Sequence, residues 1–246
     1  MKLTLAEPKY LKNSISIISE LVNEVIIKFD KDKIELIAMD PANVALINFK
    51  LLSSAFTEYS VDEETEIGVS LDNLKQILRR AKPSDVLTLE LKNNKLKIDL
   101  EGENKRTFHL SLINLENQKQ RIPDLKFSGS VEMSTSLFDE AVEDMGVVAD
   151  SVTFTADPEN FSVQANGNLS NAVVQFSNDK SDIKLDSNNI IKSKYSLEYL
   201  RKIIKGSSLS DNVVISFGND YPLRADYKVI DKLSLSFILA PRVAND

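Results

Sequence analysis

His109 is the only histidine in a chain of 246 residues, and there is no cysteine. Thiolate zinc sites, iron–sulfur clusters, disulfides and a Cys nucleophile are therefore excluded, and one imidazole is left as a candidate base. His109 lies in the alternating run Arg106-Thr107-Phe108-His109-Leu110-Ser111-Leu112. Phe108, Leu110 and Leu112 share one face of that run and His109 points to the other, so it reads as a solvent-facing strand residue. Acid–base chemistry could instead use paired carboxylates. Asp62-Glu63-Glu64-Thr65-Glu66 reads as an exposed acidic loop, whereas Asp139, Glu140, Glu143 and Asp144 fall on one expected helix. That quartet could serve a carboxylate-based hydrolase. No nucleophile or metal-binding partner accompanies it, and a solvated helix face is the expected reading. None of the seven glycines is spaced as a phosphate-cradling loop, and no G-x-S-x-G elbow occurs. The sequence thus predicts no catalytic residue, no metal, no cofactor and no enzymatic activity.

The basic residues form the other chemically active set. Lys9, Lys12, Lys75, Arg79, Arg80, Lys82, Arg201, Lys202 and Lys205 fall in three expected helices, 9–22, 71–82 and 197–206. Only Glu20, Asp72 and Glu198 oppose them there, although the whole chain carries a net charge of −7. Lys75, Arg79 and Lys82 recur at i, i+4, i+7, a single stripe on a continuous helix. By charge alone these are either ordinary solvated faces or a surface for a polyanion. A fourth expected helix, 136–148, holds the acidic quartet instead.

The elements that must position these residues come from a repeat. Residues 10–49 align with 137–176 at an offset of 127 without a gap, and 70–91 align with 196–217 at an offset of 126. Apolar positions coincide, as in Leu11/Phe138, Ile15/Val142, Ile27/Phe154 and Leu36/Val163. Each half reads as helix, strands, helix, strands. Leu11, Ile15, Ile18 and Val22 have helical spacing; Val25–Phe29 and Ile34–Ala38 alternate as strands about an Asp30–Lys33 turn. Ser70 is the expected N-cap of the second helix and Pro83 lies beyond its end. A hairpin, Val86–Leu91 with Leu96–Leu100, follows. The expected fold class is α+β, with domains 1–114 and 128–246. Residues 115–127, polar and holding a proline, form the connector. No segment approaches the apolar length of a membrane span, and the N-terminus lacks a signal-peptide pattern. A cytoplasmic location is expected, and Asn168-Leu169-Ser170 reads as a chance glycosylation triplet.

Several local motifs, in order along the chain, resemble the DNA sliding clamp family of proliferating cell nuclear antigen (PCNA) in its archaeal/eukaryotic form. They are Ala38-Met39-Asp40 with Val44 and Leu46, Gly68-Val69-Ser70-Leu71 followed by Lys75 to Arg79, Ile122-Pro123-Asp124, Tyr221-Pro222-Leu223 with Tyr227-Lys228, and Leu239-Ala240-Pro241-Arg242-Val243. The resemblance implies the DNA-clamp fold: two similar domains per subunit, each with two helices on antiparallel sheets, and three subunits in a ring around duplex DNA. It implies no catalysis. It implies tethering of polymerase, flap endonuclease and DNA ligase, loading by a clamp loader, and no membrane partner. The nine basic residues would face DNA. A client-peptide pocket would comprise Met39, Asn43, Val44, Leu46, Gln120, Ile122, Pro222, Ile238, Ala240, Pro241 and Val243. Edge strands 105–112 and 171–177, with Phe108, Leu110, Leu112, Ala172, Val174 and Phe176, would join subunits. Glu140 and Glu143 stand where the family often has Arg, which favours a ring of different sister subunits over a homotrimer. A checkpoint-type clamp is the alternative within the fold. The location would be cytoplasmic and nucleoid-associated if the chain is archaeal, nuclear if eukaryotic.

Overall fold

The computed structural model describes residues 1–116, 120–187 and 189–242. Two compact units share the chain. One holds Met1–Pro41, Ile47–Ile122 and Val229–Leu235; the other holds Ala42–Leu46, Pro123–Lys228 and Ser236–Asp246.

In the first unit the order is β1 (Lys2–Leu5), α1 (Lys9–Ile18), β2 (Glu24–Phe29), β3 (Lys33–Met39), β4 (Ala45–Leu52), β5 (Glu58–Ser60), β6 (Thr65–Ser70), α2 (Leu71–Leu78), β7 (Val86–Lys92), β8 (Lys95–Glu101) and β9 (Lys105–Ser111). Strands β5-β1-β7-β8-β9 make an antiparallel sheet, and β4-β3-β2-β6 run side by side in a second layer. Alternation builds these layers: β2 buries Val25, Ile27 and Phe29, and β3 buries Ile34, Leu36 and Ala38. Their turn is held by the Asp30 carboxylate, which accepts from the backbone N–H of Asp32 and Lys33 at 2.8 and 2.9 Å. The β7–β8 turn has Asn93 and Asn94 both at positive φ, 49° and 55°, the conformation of a two-residue type I′ hairpin. β4 begins with residues of the second unit, Ala45 and Leu46.

The second unit repeats this plan with β10 (Gly129–Ser134), α3 (Thr135–Met145), β11 (Ser151–Ala156), β12 (Asn160–Asn166), β13 (Asn171–Ser177), β14 (Ser181–Leu185), β15 (Ile191–Ser196), α4 (Leu197–Ile203), β16 (Asn212–Phe217), β17 (Leu223–Val229) and β18 (Leu233–Leu239). The sheet orders are β13-β12-β11-β15 and β14-β10-β16-β17-β18. Phe154 centres an aromatic core with Phe138, Phe161, Tyr195 and Phe217 at 5.4–6.2 Å between rings. The repeat extends to turn chemistry: Asp157, 127 residues after Asp30, accepts from Glu159 and Asn160 N–H at 2.8 Å each.

Helix ends are where the expectations need correction. Ser70 caps α2, its Oγ accepting from Asn73 N–H at 3.4 Å, but the helix stops at Leu78 rather than 82. Pro83 turns Lys82 away from helical geometry, and the Asp85 carboxylate takes the Lys82 N–H at 2.7 Å. Lys75, Arg79 and Lys82 therefore do not form one helical stripe: Arg79 is the C-cap, and Arg80 and Lys82 lie in the turn beyond. Likewise α1 ends at Ile18, and α4 passes at Ile204 into a 3₁₀ segment, Ile204–Ser208, that carries Lys205.

Candidate nucleic-acid and partner interfaces

The two helices of each unit lie against each other; α1, α2 with its following turn, and α4 carry basic residues, whereas α3 carries acidic ones. In the first unit Lys9 pairs with Glu7 at 3.1 Å, and its ammonium lies 4.9 Å from the Tyr10 ring centre. The Glu7 hydrogen bond, then the tyrosine, raise the Lys9 pKa above the ordinary lysine value. Lys12 Nζ donates to the Ala81 carbonyl at 2.9 Å, tying α1 to the turn after α2. Lys75 reaches Glu20 at 3.4 Å, and Lys82 reaches Glu103 at 3.2 Å. Arg79 and Arg80 are exposed and have no ion-pair partner among the described residues. Asp85, 1% exposed, holds the Arg106 guanidinium of β9. The Lys82 backbone N–H, with Arg106, keeps the Asp85 carboxyl below the usual aspartate pKa.

In the second unit Arg201 of α4 folds over the C-terminal turn of α3. Its Nε lies 3.7 Å from Glu143, and a methyl group at Gly146 would collide with its guanidinium. Lys202 pairs with Glu198 at 3.2 Å and lies over Tyr199. Glu140 and Asp144 are exposed. Asp139 is half-buried, and its Oδ1 is buried with no hydrogen-bond partner among the described residues. Desolvation, reinforced by the Glu143 carboxylate, raises its pKa despite an opposing hydrogen bond from Ser207. The buried Tyr227 hydroxyl also lacks a partner and feels the Asp139 charge. Among the described residues no group of three or more His, Asp or Glu side chains could hold a metal ion. His109 is exposed and pairs across strands with Lys97, as the alternation predicts.

The expected client-pocket residues divide between the units. In the first, Met39 and Gln120 line an open cavity of about 560 Å³ with Leu115, Arg121 and the unforeseen carboxylates Glu24, Glu35, Glu64, Glu66 and Glu116. Ile122 is 42% exposed. The chain entering this region is fixed to β6: Ile113 N–H donates to the Gly68 carbonyl at 2.9 Å, and a side chain at Gly68 would strike the Ile113 carbonyl. In the second unit Ala240 N–H donates to the Val44 carbonyl at 2.9 Å, placing the tail beside the loop at Asn43, whose φ is 58°. Pro222, Ala240 and Pro241 are half-buried, whereas Leu46 and Ile238 belong to the core. Val243 lies outside the described residues.

β9 and β13 are among the strands that end their sheets. Among the described residues β9 pairs only with β8 and β13 only with β12, so each offers a free row of backbone groups. Leu110 and Phe176 are buried; Phe108, Leu112, Ala172 and Val174 are half-buried because the sheet stops beside them.

Sequence reasoning found the basic residues but missed Glu7, Glu103 and the cavity glutamates, because nothing in linear spacing brings Lys82 to Glu103 or Lys75 to Glu20. No helix among the described residues is long and apolar enough to cross a membrane.

Comparison with known proteins gives one family. Residues 1–120 match the proliferating cell nuclear antigen N-terminal domain and residues 121–242 its C-terminal domain. A DNA polymerase sliding clamp of Thermococcus fumicolans is 37% identical over 96% of this chain and 95% of the relative. A DNA polymerase sliding clamp of Pyrococcus horikoshii is 37% identical over 92% and 91%. The crystal structure of PCNA from Thermococcus kodakaraensis superposes with a TM-score of 0.92 at 28% identity, covering 98% and 99% of the two chains. Neither a hydrolase nor a checkpoint-type clamp finds support in these matches. Two domain matches spanning nearly the whole chain, on a fold built twice from one plan, show that it belongs to the PCNA family of sliding clamps, which are non-enzymatic processivity factors.

Proposed function

We propose that the chain closes into a ring of three subunits around duplex DNA. The basic sides of α1, α2 and α4 face the phosphates, and the outer surface carries polymerase, flap endonuclease, ligase and the clamp loader. Lys and Arg directed at phosphates attract DNA regardless of sequence, which is what a sliding tether needs. We further read residues 115–127 as the connector between domains 1–114 and 128–246, and the location as cytoplasmic, at the nucleoid of an archaeal cell.

The observation that carries ring closure is the pair of free edges with opposite flanking charge. α2 and its turn, which lie against β9, present Arg79, Arg80 and Lys82; α3, which lies against β13, presents Glu140, Glu143 and Asp144. Joined head to tail, β9 of one copy would meet β13 of the next, and the basic flank would meet the acidic one. The acidic helix, which in the sequence favours different sister subunits, thus gains a role within a ring of identical chains. Light scattering on the purified chain tests this. A mass three times the 27.5 kDa chain is expected without any other subunit. A monomer that gains mass only on adding a sister subunit would remove the homotrimer.

A further inference from the structure

Lys75 and Arg201 occupy the same position in the two repeats, at the offset of 126. In each unit a carboxylate from the first helical segment reaches across to that base: Glu20 to Lys75 at 3.4 Å, and Glu143 to Arg201 at 3.7 Å. The two carboxylates are not repeat-equivalent, because Glu20 falls over Val147 and Glu143 over Ser16. The same base is therefore engaged twice, from two unrelated places in the sequence. The Arg201 guanidinium also packs against Gly146, at the carbonyl end of α3, which favours a cation.

We propose that Glu20 and Glu143 are intramolecular competitors of the DNA phosphates, which make each contact at Lys75 and Arg201 an exchange of one anion for another. This rests on the reading that these helices face DNA. An ion pair that solvent reaches is weak, and the Lys75–Glu20 pair is half-buried while the Arg201–Glu143 pair is exposed, so a phosphate can displace each carboxylate, which can reclaim the base when the phosphate moves on. Contacts of this kind attract the duplex without a deep minimum at any register, which suits sliding. Arg79 and Arg80, with no ion-pair partner among the described residues, supply attraction that no carboxylate of their own unit contests.

The test is binding of the assembled full-length protein to a short duplex across a salt series. Variants, compared at the parent's oligomer mass because Arg79, Arg80 and Glu143 also flank the proposed joining edges, are Glu20→Gln, Glu143→Gln, the double variant, Arg79→Ala with Arg80→Ala, and Glu90→Gln. Glu90 pairs with Lys97 on β7 and β8 at 3.0 Å and reports the same charge change away from the helices. Glu20→Gln and Glu143→Gln should each tighten binding about two- to fivefold, with the double variant near the product. Each should also steepen the salt dependence by up to about one unit, while Glu90→Gln matches the parent. Single-molecule diffusion on DNA should slow in the double variant. If the two glutamine variants bind like Glu90→Gln, or more weakly than the parent, while the arginine variant loses affinity, the competitor role is wrong and the DNA-facing reading stands. If the arginine variant binds like the parent, the DNA-facing reading itself fails.

Discussion

Lys12 and Asp139 share one repeat position but carry opposite charge. In the first unit the ammonium satisfies the carbonyl of Ala81; in the second, a carboxylate lies at Ser207, the equivalent of Ala81, with one oxygen buried and unpartnered. Its folded pKa is raised, chiefly by desolvation. The folded protein therefore binds that proton more tightly than the unfolded chain. The penalty is fully present above the folded pKa and vanishes as pH falls below the unfolded value of 3.8. Asp139→Asn should consequently stabilise the fold at neutral pH, by at most on the order of 1 kcal/mol once solvent screening of a half-buried group is allowed for, seen as a higher midpoint of thermal unfolding. The difference from the parent should close as the pH approaches the unfolded pKa. Equal gains at both pH values would show that the charge is not the cause. Asp85 has the opposite sign: its pKa is lowered, first by the Lys82 N–H and then by Arg106, so its contribution is present above the unfolded value and lost as pH falls through the folded one. Residue identity showed which side chains were charged. Their partners were hidden, because Asp139, Ser207 and Tyr227 meet only through tertiary packing.

Strands were legible because alternation is local: the buried apolar positions of β2, β3, β7 and β8 are those the sequence alternates. The repeat was legible for the same reason, down to the Asp30 and Asp157 turns. Helix ends were not: past Leu78 the Asp85 carboxylate takes the Lys82 N–H, a side-chain contact that spacing does not announce, and past Ile203 Gly206 packs against the ring of Tyr227, which is distant in sequence. Free edges are also tertiary facts, since a strand's period says nothing about how many neighbours it has. Along an edge strand successive N–H groups point alternately into the sheet and out of it. Val173→Pro and Val174→Pro on β13 therefore remove one inward and one outward donor between them. The outward one should give a folded protein of lower mass. The inward one should lower thermal stability as well. If both variants keep the parent's mass while folded, β13 is not the joining edge.

At the scale of the whole molecule, attraction and tethering use different physics. The chain is acidic, at −7, yet α1, α2 and α4 with their adjoining turns carry basic residues, so on the proposed reading its attraction for DNA is electrostatic and local. Client binding, on the same reading, would rest on apolar side chains with a few backbone groups, such as Met39 in the first unit and Pro241 in the second. The two functions should respond differently to salt. Raising ionic strength from about 50 to about 200 mM should weaken binding to duplex DNA by orders of magnitude if several phosphates are contacted. Affinity for a neutral, apolar client-derived peptide should change little, since apolar burial is not screened. Met39→Glu and Pro241→Glu place a charge where an aromatic anchor would be desolvated, at a cost of about 2 kcal/mol or more. Each should lower peptide affinity at least about thirtyfold while leaving the oligomer mass and the DNA salt slope as in the parent. Leu46→Glu is unsuited to this purpose: Leu46 is 3% exposed, and its replacement would disrupt the core before it tested the surface. A peptide affinity that falls with salt in step with DNA, or that survives both charge substitutions, would place the client site elsewhere on the ring.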